Sequence, residues 1–213
     1  MDKPADNHPH PDSPPENVFL VGLMGAGKTS VGKILAKHLH KTFYDCDHEI
    51  ERCTGVKIPV IFEIEGESGF RERENKMISE LVRHRNIVLA TGGGAVLSGQ
   101  NRRLLAAHGT VVYLRATPND LWQRTRHDKN RPLLQTENPL ARLQELFAQR
   151  DPLYREIADI IIDTGNQSLG NLVHRLEQKL AKLRDDTCNT SGGCYSSLET
   201  ETKHHADPDR SPR

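Results

Sequence analysis

Residues 22–29 read GLMGAGKT, set between the apolar run VFLV (18–21) and the stretch SVGKILAKHL (30–39). The octet satisfies GxxxxGK[ST], and each constant position has a mechanical reason. Glycines let the backbone turn its N–H groups inward as an anion nest, Lys28 reaches the β and γ phosphates, and Thr29 offers a hydroxyl to Mg²⁺. The helix that starts here adds its positive end. A glycine turn that merely joins a strand to a helix is the rival reading. The apolar run before the octet and the helical period after it supply the context that a phosphate loop requires. The expected ligand is a nucleoside triphosphate. The loop does not name the acceptor, because GTPases, ATPases and small-molecule kinases share it.

Outward from this loop, strand-length apolar runs alternate with helix-period segments. They are NVFLVG, KTSVGKILAKHLH, TFYD, FRERENKMISELVRH, NIVLATG, QNRRLLAAHG, TVVYLRA and TPNDLWQRTRH, then DIIIDTG and LGNLVHRLEQKLAKL. This alternation is the βαβα signature of a parallel sheet. Thr117 and Asn138 each precede a proline at a first helical position, and Gly109 follows LLAAH where a left-handed cap is wanted. In the last helix, Leu169, Leu172, Val173, Leu176, Leu180 and Leu183 share a stripe. No solenoid-length repeat is present.

The chain has 213 residues, with 29 Lys plus Arg against 29 Asp plus Glu. That length suits one α/β domain with tails, and the balanced charge gives no long-range pull toward nucleic acid or an anionic membrane. Residues 1–16 are Pro-rich and 185–213 lack apolar periodicity, so both are expected to be disordered tails around a domain at 17–184. His8, His10, His204 and His205 lie in those tails and are read as solvated rather than metal-binding. Cys46, Cys53, Cys188 and Cys194 form no CxxC and follow no secretory signal, and no run approaches a membrane span. A reduced, cytoplasmic protein is expected.

A regulatory GTPase needs NKxD, but Asn75-Lys76 continues as Met-Ile inside a helical segment. The segment FYDCDHE (43–49) ends the second strand, and carboxyl ends of strands border the crevice in open α/β sheets. Asp45 and Asp47 alternate, so at strand geometry both face one side. One then serves Mg²⁺ and the other a hydroxyl that must lose its proton; alternatively the pair caps a helix. LATGGGAV (89–96) leaves a strand through three glycines, which permit close backbone approach. Arg71, Arg131 and Arg150 complete a set suited to an anionic substrate, since a guanidinium makes two parallel hydrogen bonds to a carboxylate. Each alone is also compatible with a surface charge.

With this set the chain resembles bacterial-type shikimate kinase over nearly all of residues 17–180, through GLMGAGKT, FYDCDHEIE, GESGFRERE, IVLATGGGAV, RPLL, RDPLYREIAD and Gln167-Ser168. The resemblance implies a P-loop kinase of the nucleoside-monophosphate-kinase type, a three-layer α/β/α domain with a five-stranded parallel sheet. It implies transfer of the ATP γ-phosphate to the 3-hydroxyl of shikimate, a step toward chorismate and the aromatic amino acids.

Carried over by position, Gly25, Ala26, Gly27, Lys28, Thr29 and Ser30 look like the ATP phosphate site, with Thr29 and Asp45 serving Mg²⁺. Asp47 matches the aspartate at the shikimate hydroxyls, the usual candidate for the base. Arg71 and Arg150 match the grip on the shikimate carboxylate, and Gly92, Gly93 and Gly94 the substrate-facing loop. Arg131 matches a lid arginine that joins Lys28 and Asp47 in catalysis, within a lid at about 126–138. Arg124 and Gln167 match residues at the adenine. The expected partners are small molecules only, and the expected state is a monomer. Cys46, between the two aspartates, is read as packed and inert, with oxidation sensitivity as the alternative.

Overall fold

A computed structural model describes residues 17–127, 132–165 and 167–191. The expected tail at 1–16 and residues 192–213 of the tail expected at 185–213, with their histidines, lie outside the described residues, as does Arg131 of the expected lid; residues 185–191 are helical.

Five strands form one parallel sheet: β1 (Val18–Val21), β2 (Thr42–Asp45), β3 (Ile87–Ala90), β4 (Thr110–Arg115) and β5 (Ile160–Asp163). Their order is β2-β3-β1-β4-β5, with Phe19 opposite both Leu89 and Val111 in the central ladders. All four β1 residues are buried, which explains an uninterrupted apolar run rather than an alternating one: both faces of this sheet are covered.

Among the described residues, seven α-helices link and cover the strands: α1 (Lys28–His38), α2 (Cys46–Thr54), α3 (Ile58–Leu81), α4 (Gly99–His108), α5 (Pro118–Thr125), α6 (Pro139–Ile157) and α7 (Leu169–Ser191). α1 packs on β3 and against α7, while α4 and α6 pack on each other and on β4, giving helical layers about the sheet. α3 is longer than its apolar period suggested and is interrupted at Gly66, whose φ of 68° and ψ of −174° are not helical. α7 runs past the boundary expected at residue 184. Its stripe ends in Leu176 and Leu180 on the core, and charged residues carry the helix beyond.

The cap signals resolve differently. Thr117 and Asn138 do cap α5 and α6, each accepting a backbone N–H three residues on. Gly109 is not a left-handed cap: its φ of 171° is extended backbone. It is glycine for space, because a Cβ there would meet the Asn17 carbonyl oxygen at 2.6 Å and the Phe19 ring at 2.9 Å. The left-handed cap occurs at Gly55, φ 74°, closing α2.

Asn17 fastens the amino-terminal edge of the sheet. It is 1% exposed; its side-chain amide donates to His84 O at 2.7 Å and His108 O at 3.3 Å, and its Oδ1 accepts from Ile87 N at 3.1 Å. Three groups from three segments would be stranded by its loss. Asn17→Ala is therefore expected to lower unfolding free energy by about 2–4 kcal/mol while leaving both Michaelis constants unchanged. Urea denaturation and steady-state kinetics check this; a loss under about 0.5 kcal/mol would contradict the fastening role.

Candidate active site

The carboxyl ends of the parallel strands open onto a cavity of about 730 Å³. Its walls include the phosphate loop, Asp45, Asp47, Arg71, Glu74, Gly92, Gly93, Gly94, Arg124 and Arg150. Loops after β1, β2 and β3 and residues on α3, α5 and α6 thus meet in one place.

The loop between β1 and α1 is shaped for an anion. Gly27 caps α1 in the left-handed region, φ 93°, and no side chain caps the helix, whose positive end faces the cavity. Gly25 has φ 79°, and a Cβ there would come within 2.6 Å of the Thr125 methyl. Lys28 folds onto its own loop, Nζ donating to Gly22 O at 2.7 Å and Leu23 O at 3.0 Å. Thr29 and Ser30 line the cavity, whereas Ala26 turns into the core and its N–H donates to Leu23 O at 3.2 Å.

The two aspartates reach the cavity by a different route from the strand alternation expected of them. β2 stops at Asp45, whose Oδ1 accepts from Asp47 N at 3.1 Å and His48 N at 3.4 Å and so starts α2. Asp47 then stands in the first turn of that helix. The cap and the site are the same residue: Asp45 Oδ2 accepts the Thr29 hydroxyl at 2.7 Å. Cys46 between them is fully buried. Burial, then the carboxylates of Glu74, Asp47 and Asp45, push its thiol well above the ordinary range, which removes the thiolate that oxidation needs.

The three glycines make room for charge. A Cβ on Gly92 would overlap Glu74 Oε1, and one on Gly94 would overlap the Arg71 guanidinium; one on Gly93 would lie 3.3 Å from Met24 N of the phosphate loop. Glu74 is 0% exposed and holds Arg71, whose Nη1 donates to its Oε2 at 2.7 Å, with Glu67 on the other nitrogen at 2.8 Å. Burial pushes the Glu74 carboxyl up, and Arg71 offsets only part of that. For Arg71, burial pulls downward, but the two carboxylates outweigh it and hold the guanidinium above its usual range.

Arg150, 2% exposed, comes from α6. Its Nη1 donates to Gly93 O at 3.1 Å, its Nε has no hydrogen-bond partner, and among the described residues no carboxylate pairs with it. Burial lowers its pKa and the Arg71 charge adds to the effect, while Tyr154, Glu67 and Glu74 oppose it. A buried cation with no carboxylate at ion-pair distance favours an anionic ligand.

Arg124 lines the cavity and ties the loop after β5 to the phosphate loop, donating to Thr164 Oγ1 at 3.0 Å and Gly25 O at 3.5 Å. Gln167 does not reach the cavity wall: its amide donates to Asp163 O at 2.6 Å and its carbonyl accepts from Arg175 at 2.8 Å. Two residues were missed in the sequence. Glu74 left a signal, since it interrupts the buried stripe of Phe70, Met77, Ile78 and Leu81 at helical spacing. Tyr154, whose hydroxyl donates to Gly93 O at 2.5 Å, left none.

Comparison with known proteins bears on this arrangement. The family model described as shikimate kinase matches residues 24–181. Shikimate kinase of Nitrosospira multiformis is 65% identical over 164 residues, covering 77% of this chain and 84% of the relative. That of Thiobacillus denitrificans is 61% identical over 171 residues, covering 80% and 93%. Among solved structures, shikimate kinase from Acinetobacter baumannii in complex with shikimate superposes with a TM-score of 0.77 at 50% identity, over 80% of this chain and 95% of that one. With a matching family model over most of the domain, a shared fold and relatives above half identity, this chain belongs to the shikimate kinase family.

Proposed function

We propose that the protein transfers the γ-phosphate of ATP to the 3-hydroxyl of shikimate, giving shikimate 3-phosphate and ADP on the way to chorismate and the aromatic amino acids. One observation carries this reading: the cavity that holds the phosphate loop also holds Asp47 and two guanidiniums, Arg71 and the buried Arg150, the latter with no direct ion pair among the described residues. That wall suits an acceptor bearing a carboxylate and hydroxyls. The superposition with a relative solved in complex with shikimate supports the choice.

In this reading Arg71 and Arg150 hold the carboxylate of shikimate, and Gly92, Gly93 and Gly94 pack against its ring. Asp47 accepts hydrogen bonds from the hydroxyls and orients the 3-oxygen toward the γ-phosphorus. A largely dissociative transfer draws little on a base, so orientation is its larger contribution, with uptake of the hydroxyl proton following bond formation. Lys28 exchanges the Gly22 and Leu23 carbonyls for phosphate oxygens, beside the N–H groups of residues 25–30. Arg124 lies against the adenine. We assign Arg131 to charge neutralisation over the phosphates on the family pattern.

The residues present also fit Mg²⁺. Thr29 Oγ1 and Asp45 Oδ2 are hard oxygen donors side by side at 2.7 Å, and no group of three or more His, Cys, Asp or Glu among the described residues forms a protein-only cage. Mg²⁺ is usually held in this way, by one or two side chains with water and substrate phosphates, and when bound it neutralises phosphate charge. Among the described residues no helix is long and apolar enough to cross a membrane. We place the enzyme in the cytoplasm as a monomer acting on small molecules, without nucleic-acid or membrane partners.

A coupled assay for ADP release with Mg²⁺ and ATP, offering shikimate, quinate and gluconate in parallel, is expected to show turnover with shikimate alone. ADP formation with another acceptor, or with none, would leave the nucleotide site and overturn the acceptor. Asp47→Asn, which removes one charge and keeps shape, is expected to reduce kcat by about 10²-fold or more with ATP binding retained by calorimetry. Near-normal turnover would take Asp47 out of catalysis. Arg71→Ala is expected to raise the shikimate KM by about 10–100-fold, and to destabilise the fold as well because Glu74 loses its cation. An unchanged KM would contradict the carboxylate assignment.

A further inference from the structure

Tyr154 touches nothing the reaction consumes, yet it is fully buried directly behind the loop of three glycines. Its hydroxyl donates to Gly93 O at 2.5 Å, and Arg150, one turn earlier on α6, donates to the same oxygen at 3.1 Å. Pro152 lies between them and withholds an N–H from the helical ladder, so this part of α6 depends on side-chain fixings. The Tyr154 ring stacks on Tyr113 with centroids 4.8 Å apart, and the Tyr113 hydroxyl donates to Asp151 at 2.8 Å.

The two donors on Gly93 differ in what happens to them during a catalytic cycle. Arg150 faces the cavity and is drawn toward an incoming carboxylate, so its hold on Gly93 competes with substrate. Tyr154 has no such rival, because no part of it reaches the cavity wall. The peptide between Gly93 and Gly94 is planar and trans, so fixing the Gly93 carbonyl toward α6 aims the Gly94 N–H the opposite way. Glycine backbone does not hold such an orientation by itself.

We propose that Tyr154 is a positioning residue for the acceptor site: its hydroxyl locks the Gly93 peptide so that the glycine loop keeps its shape when Arg150 engages the substrate carboxylate. The assignment rests on the reading of this cavity as the shikimate site. The loop also abuts the phosphate loop at Met24, but Tyr154 and Arg150 hold it from the acceptor side, so the effect is expected to fall more on shikimate than on ATP.

Tyr154→Phe keeps the stacked ring and deletes the donor. It is expected to raise the shikimate KM by about fivefold or more while the ATP KM stays within about twofold. Tyr113→Phe, which removes a buried hydroxyl from the same ring pair away from the loop, is the control for mere loss of stability, with a shikimate KM within about twofold of wild type. Tyr154→4-aminophenylalanine restores a donor and is expected to bring the shikimate KM back near wild type. An unchanged shikimate KM in Tyr154→Phe, or equal increases in both Phe variants, overturns the assignment. Should Tyr154→Phe fail to fold, the aminophenylalanine variant decides: a wild-type KM supports the lock, and an increase of about fivefold or more refutes it. Wild-type turnover on shikimate in the same assay reports separately on the acceptor reading.

Discussion

β1 is buried on both faces and paired on both edges, so nothing polar can happen along its length. Its polar business is displaced to its two ends, and the rest of the molecule is arranged around that displacement. At the entry, Asn17 satisfies groups from three segments and Gly109 yields space to it. At the exit, the chain turns into a loop whose N–H groups have no strand to bond and whose following helix has no side-chain cap. An anion is the partner that such an exit lacks. Because β3 is parallel to β1 and hydrogen-bonded to it, its own exit, Thr91 to Gly94, opens beside the first. Donor and acceptor sites are neighbours by sheet topology before any side chain is considered.

What separates the acceptor side from a plain crevice is the management of buried charge. Glu74 is sunk completely, a costly position that is tolerable only with Arg71 beside it. The pair in turn needs a wall without side chains, which Gly92 and Gly94 provide. Arg71 comes with two carboxylates, so its charge is already balanced, and its role is geometric as much as electrostatic. Arg150 makes no direct ion pair among the described residues and feels Glu67 and Glu74 only at a distance. Under the proposed function, the pocket would suit a single negative group held between a cation fixed by carboxylates and one without a direct ion pair.

The sheet was legible because its strands are uninterrupted apolar runs bounded by turn residues, and the loops that carry chemistry leave from their ends. The start of α2 was left open between a strand end and a helix cap, because a carboxylate that caps a helix and a carboxylate that continues a strand look alike over three residues; Asp45 does the former and so delivers Asp47 by helical geometry. α6 was anchored by Asn138-Pro139 but its length was hidden, since Pro152 reads as a breaker. It continues because Pro152 costs one ladder bond, and tyrosine and arginine contacts to the sheet and glycine loop offset that. Gln167 shows the opposite limit: a motif match fixes a position in the chain, while the loop's own hydrogen bonds decide where the side chain points.

Asp45 shows how tightly fold and chemistry are joined here. One of its oxygens is committed to the backbone of α2 and the other to Thr29 at the start of α1, so a single carboxylate links the second strand, its helix and the phosphate loop. Any cation held by Thr29 and Asp45 is thereby held by two helices, and its position relative to Asp47 is set by two residues of helical backbone. Under the proposed function, the separation of the metal ligands from Asp47 would be a property of the β2–α2 junction, not of flexible side chains. That is the arrangement a transfer catalysed by positioning requires.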